Sequence, residues 1–299
     1  MKLLTIGLRH SDDSDRSLNV EIEAVCANLA YKGYKVAVHN EVKGSYQFIS
    51  CHVNEGELSF RNYERVKRLV KQEITALLAR YIVTVAEQPL LQRMIERRYE
   101  YFSSSERQSL LQKVLKRIEV PTTADTSYPS TVRFQYIADK MTEYLEYGHD
   151  LILEGFMHFR LKPYYEKLAQ VIDRTVDDFM MELEYQEFIR VLRYFVESQQ
   201  PKHEEIHVIV LENQHFQILN EAGESLEETF LDMVGDTGAM NDQDALISAL
   251  VTLAPYTVMI HFAGALANFE IISTIQSVFE GRVILCDGCS LCRPSRGNH

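Results

Sequence analysis

Between Asn62 and Gln199 apolar side chains recur at helical spacing with few breakers, as in the stripe Val66, Leu69, Val70, Ile74, Leu77, Leu78 and Tyr81. A period near 3.6 sustained over such a length cannot be laid out as strands, whose faces alternate every residue. The pattern therefore predicts a helical middle over 61–200. Pro89 and Ser103-Ser104-Ser105 mark helix ends within it, Val120 to Pro129 is its strongest loop signal, and Pro163 stands where one helix ends and the next begins.

The flanks read differently. Leu3 to Arg9 has strand character, Ser17 to Tyr31 carries apolar residues at helical spacing up to a stop at Gly33, and Lys35–His39 and Tyr46–Val53 form two strands joined through Lys43-Gly44-Ser45. Beyond Gln199-Gln200-Pro201-Lys202, Ile206–Leu211 and His215–Leu219 form a hairpin. Asp242–Leu253 then reads as a helix, Tyr256–Phe262 as a strand, Asn268–Phe279 as a helix and Arg282–Cys286 as a last strand. The fold class is α+β, or mixed: a small α/β unit over 1–60, a helical bundle over 61–200, and an α/β domain over 201–299 with a partly parallel sheet and a Cys-rich final turn. Right-handed crossovers would put the C-terminal ends of the last two strands on one side of that sheet, so His261 and Cys286 should be neighbours.

Thirty-one Lys and Arg against 43 Asp and Glu leave a net charge of −12. That balance opposes binding to nucleic acid or to an anionic membrane surface. The longest stretch without a charged side chain, Ala245 to Phe269, is long enough to cross a bilayer. Pro255 divides it, His261 and Asn268 are polar, and its second half turns β-branched, so no membrane span is expected. The apolar stretch Leu3–Leu8 is too short for an export signal, which predicts a cytoplasmic, reducing compartment where cysteines remain thiols or bind metal.

Three of the five cysteines fall within Cys286-Asp287-Gly288-Cys289-Ser290-Leu291-Cys292. Spacing of this kind lets thiolates converge on one metal across a tight turn, with Gly288 relieving the backbone. The fourth ligand of a Cys₃His zinc site would be His261 on the neighbouring strand or His299 in the tail. An iron–sulfur cluster is the less favoured alternative, because the bacterial ferredoxin pattern would need a cysteine where the chain has Arg296. A redox-active dithiol and free thiols complete the set of readings.

Other candidates have simpler explanations. Cys26 lies on the apolar face of a helix and reads as a small core residue. Cys51 and His52 are successive strand residues facing opposite ways. Glu154 and His158 are one helical turn apart, but no second such pair accompanies them, so they read as structural. Asp177, Asp178, Glu182, Glu184 and Glu187 form a solvated acidic face, and Gly235-Asp236-Thr237-Gly238 is a loop whose resemblance to an aspartic-protease motif lacks the all-β fold that motif requires. No phosphate-cradling loop, nucleophile elbow or metalloprotease motif is present.

The runs Leu153-Glu154-Gly155-Phe156-Met157-His158-Phe159-Arg160-Leu161 and Glu187-Phe188-Ile189-Arg190-Val191-Leu192-Arg193-Tyr194-Phe195, the segment Asp244–Leu250 and the closing Cys-rich turn together resemble the YtxC-like sporulation proteins of endospore-forming bacteria. The resemblance implies a cytoplasmic protein linked to sporulation and carries over no catalytic residue. Two functions follow from the residues: a non-enzymatic interaction or regulatory protein with a structural metal clip and an unidentified protein partner, or a metal-dependent or thiol redox enzyme built on the same cysteines. The first is preferred, because no complete acid–base or nucleophile set accompanies the thiols.

Overall fold

A computed structural model describes residues 2–9, 13–31, 36–53, 60–119, 128–211, 215–226, 242–262 and 269–292. The loop expected at 120–129 falls largely outside these residues, as do Gly235–Gly238 and His299. By contacts the chain forms two compact units, Met1–Phe179 and Met180–His299.

The first unit opens with strand β1 (Lys2–Arg9), helix α1 (Asp13–Tyr31) and the hairpin β2 (Val36–Lys43) and β3 (Tyr46–Val53). Gly44, at φ 62, supplies the left-handed turn residue of that hairpin. A short strand, β4 (Asp150–Ile152), joins parallel to β1 and completes a mixed sheet of order β2-β3-β1-β4. The sequence reading has no strand here: three residues between two helices are too few to show a period.

Helices α2 (Phe60–Tyr81), α3 (Glu87–Arg98), α4 (Ser104–Glu119), α5 (Ser130–Tyr147), α6 (Leu153–Arg160) and α7 (Lys162–Ser198) make up the middle, and α7 passes from the first unit into the second. The expected stripe is inside: Val66, Val70, Ile74, Leu77 and Leu78 are all buried. A π-helical turn, Ile82–Ala86, joins α2 to α3 without leaving helical conformation, and Pro89 sits in the first turn of α3 directly after it. Pro89 thus marks a join between helices and does not close one. At α4, the Ser103 hydroxyl accepts from the Glu106 N–H at 3.3 Å and the Glu106 carboxylate accepts from the Ser103 N–H at 2.7 Å, a reciprocal cap.

A charged cluster is deeply buried among these helices. Arg133, 2% exposed, lies 2.8 Å from the Glu87 carboxylate and 2.5 Å from that of Glu119. The Tyr164 hydroxyl donates to Glu87, and Arg133 also donates to the Tyr128 carbonyl.

The second unit is an α/β layer. Strands β5 (His203–Val210), β6 (Phe216–Leu219), β7 (Pro255–Phe262) and β8 (Val283–Leu285) form a sheet of order β6-β5-β7-β8, with β6 antiparallel to β5 and the other pairs parallel. Helices α8 (Asp242–Leu253) and α9 (Phe269–Val278) make the crossovers. Ile206, Val208, Val210, Val258 and Ile260 face a core shared with Leu246, Leu250, Ile271, Ile275 and Phe279, and with Ile189 and Val196 of α7. The charge-free stretch beginning at Ala245 is therefore a helix followed by a strand. Among the described residues one helical stretch, Asn62–Arg98, is long and apolar enough to cross a bilayer, and 44% of its most apolar window is buried inside the protein.

Candidate metal centre

Alternation along β5 and β7 sends Ile206, Val208, Val258 and Ile260 to the core and leaves Glu205, His207, Met259 and His261 on the opposite face. His261 lies one residue from the C-terminal end of β7. Cys286 follows β8 directly, and its N–H donates to the Ile260 carbonyl at 2.9 Å, which continues the parallel ladder up to the first cysteine. Past that point the chain turns. Gly288 adopts φ 129, a conformation that strains any residue with a Cβ, while the space around it is open, so the backbone alone demands glycine. The Cys292 N–H bonds the Cys289 carbonyl at 3.2 Å and tightens the turn.

The outcome is convergence. His261 Nδ1 is 3.4 Å from the Cys289 sulfur and 3.5 Å from the Cys292 sulfur. Cys292 Sγ is 3.9 Å from that of Cys289 and 3.6 Å from that of Cys286. All four donor atoms lie within 4.8 Å of one another, and together they could hold a metal ion; among the described residues no other His, Cys, Asp or Glu group does so. His261 is 1% exposed while the three cysteines are half-buried, so the imidazole anchors the inner side of the cluster.

The electrostatics favour a neutral His261 and a Cys289 thiolate. Burial, assisted by the nearby His207, lowers the His261 pKa and keeps the ring neutral with a lone pair to offer. Burial works against a Cys289 thiolate, but the Cys292 and Leu291 N–H groups and the neighbouring thiols outweigh it and hold its pKa below the ordinary value. At Cys286 the Gly288 N–H pulls the pKa down, and burial and the other two thiols push it up by more. Cys289 is thus the first of this pair to ionise.

Behind His261 lies a group that the sequence reading missed. His261 Nε2 is 3.1 Å from His207 Nδ1, and His207 Nε2 is 3.3 Å from a Glu205 carboxylate oxygen. The available signal was local: His203, Glu205 and His207 alternate with Ile206, Val208 and Val210, placing polar side chains on one face of a buried strand.

The other sequence candidates stand apart. Cys26 and Cys51 are buried with their sulfurs 3.3 Å apart, and His52 lies on the other face of β3, edge-on to His39. Glu154 accepts from Arg9 at 3.0 Å and from the Tyr46 hydroxyl at 3.2 Å, while His158 packs edge-on against Phe159. These contacts make Glu154 and His158 parts of the first unit's surface.

Fold and site together define an α+β protein whose C-terminal sheet edge carries a preassembled His-Cys₃ donor set. The chain belongs to the YtxC-like family, whose model matches residues 72–284. It is 27% identical over 218 residues to a Bacillus subtilis (strain 168) protein described as "Uncharacterized protein YtxC", covering 72% of this chain and 76% of that relative. No solved structure matches. The family match includes β5, β7 and His261 and stops two residues before Cys286.

Proposed function

We propose that this chain is a non-enzymatic interaction or regulatory protein of an endospore-forming bacterium, acting in the cytoplasm in connection with sporulation, and that a structural zinc ion on His261, Cys286, Cys289 and Cys292 clamps its C-terminal turn to β7. The observation that carries the reading is the donor spacing. Around one tetrahedral zinc, with Zn–S of about 2.3 Å and Zn–N of about 2.0–2.1 Å, sulfurs sit about 3.8 Å apart and sulfur and nitrogen about 3.6 Å apart. Four of the six donor separations, at 3.4–3.9 Å, match those edges, and all six lie within 4.8 Å. A multi-iron cluster attaches its protein ligands to different irons and needs them more widely spread, so the spacing favours a single ion.

Four protein donors also close a tetrahedral site, leaving no position for substrate, which is the mark of a structural centre. A protein partner fits the acidic surface and the exposed apolar side chains of α7, among them Met181, Phe188 and Tyr194. The sporulation link is what the resemblance to the YtxC-like family implies, and the description of the B. subtilis relative states no role.

Metal analysis of anaerobically purified protein tests the proposal. One zinc per chain is the expected result, and deletion of the gene in a spore former should reduce sporulation while the purified protein turns over no substrate. Iron with acid-labile sulfide and a brown colour would replace the structural reading with an iron–sulfur one. Metal-free protein with intact thiols would remove the centre.

A further inference from the structure

The contact between His261 and His207 admits one proton, and the carboxylate beyond it decides which ring holds that proton. Were His207 to donate from Nδ1, its Nε2 would turn a bare lone pair toward Glu205 Oε1 at 3.3 Å, and the His261 proton would sit on Nδ1 among the thiols. The opposite order satisfies every atom: His207 Nε2–H donates to Glu205, His207 Nδ1 accepts from His261 Nε2–H, and His261 Nδ1 is free to bind. His207 is 15% and Glu205 34% exposed at the side chain, so the chain of contacts runs from half-open surface to a fully buried ring.

We propose that Glu205 and His207 are positioning residues for the metal centre, holding His261 in the Nε2–H tautomer and in the ring orientation that points Nδ1 at Cys289 and Cys292. This rests on the zinc reading above. Neither residue touches the metal; both act through His261. By accepting in sequence they raise the donor strength of Nδ1, as a carboxylate behind a ligating histidine does. The register supports the assignment: β5 pairs in parallel with β7, Ile209 opposite His261 and His207 opposite Met259, so His207 and His261 are diagonal neighbours on one sheet face.

Zinc affinity measured by chelator competition on the full chain tests the proposal. His207→Phe keeps an aromatic ring but removes the acceptor, and should weaken zinc binding by about 10–100-fold with the metal-free thermal midpoint unchanged. His207→Asn places an oxygen where Nδ1 was and should restore most of the affinity. Glu205→Ala should fall between the two. Unchanged affinity in His207→Phe, alongside metal loss in His261→Ala, would overturn the positioning role and leave the centre standing. Equal losses in His207→Phe and His207→Asn would also overturn it, because packing alone would then explain both. Full zinc in His261→Ala would refute the centre itself, an outcome distinct from either.

Discussion

Among the described residues, one buried and one partly buried polar assembly are built on opposite terms. Around Arg133 the first unit gathers two carboxylates, a phenol and a backbone carbonyl, so the assembly contains its own cation. Around His261 the second unit gathers three thiols and a neutral imidazole, donors of electron pairs with no cation among them. The first is charge-compensated by protein groups alone. On the reading proposed above, a positive ion completes the second, which is how a cluster of potential ligands differs from a buried ion pair even where distances are similar.

The comparison would break most visibly on metal removal. Cys289→Ser, His261→Ala or chelation should abolish stoichiometric metal and lower the melting of the second unit. The loss is about 4 kcal/mol where free metal stands at 1,000 times its Kd. Differential scanning calorimetry should show the transition of the first unit unmoved, and Cys26→Ser should retain full metal. A centre that kept its metal without Cys289 would leave both assemblies self-sufficient and erase the distinction.

Arg133→Met is the reciprocal test. Removing the cation leaves the Glu87 carboxylate buried and unpaired, a cost of about 3–5 kcal/mol in urea unfolding, with metal content unchanged. The sign of its pH dependence follows from Glu87. Burial pushes that carboxyl above its ordinary range, so the variant recovers stability as pH falls through the raised pKa and the charge is neutralised. Pairing Arg133→Met with Glu87→Gln should recover part of the loss at neutral pH. The smallest effect is expected from Tyr164→Phe, which removes one hydrogen bond to a charged acceptor and should cost about 1.5–3 kcal/mol. A larger loss than that of Arg133→Met would mean that the phenol, and not the guanidinium, satisfies Glu87.

Legibility in the sequence followed the range of each interaction. The clustering of the cysteine turn could be read because three thiols lie within seven residues, and the nearness of His261 because a parallel crossover places strand ends together. His207 and Glu205 are more than fifty residues from His261: local alternation marks the face they occupy, but strand register alone brings His207, with Glu205 behind it, to His261. The Arg133 assembly was invisible for a related reason. A single arginine on an amphipathic helix ordinarily marks the solvent side, and its partners Glu87, Glu119 and Tyr164 come from three other helices. The mixed fold class was legible because its helices and most of its strands are long enough to show their period. Strand β4 and the π turn before Pro89 are too short for that.

Strand β4 has a further consequence, for the order of events during synthesis. β1 is flanked by β3 on one side and by β4 on the other, and the Thr5 N–H bonds the His149 carbonyl at 2.7 Å. The hairpin partner leaves the ribosome soon after β1, but residues 149–152 follow almost a hundred residues behind that hairpin. At about 5–20 residues per second, one margin of a strand carrying Leu3, Leu4 and Ile6 waits on the order of ten seconds for its neighbour. During that interval the nascent sheet has an open side that can recruit another chain, so yield in a crowded cell should depend on whatever shields it until β4 arrives.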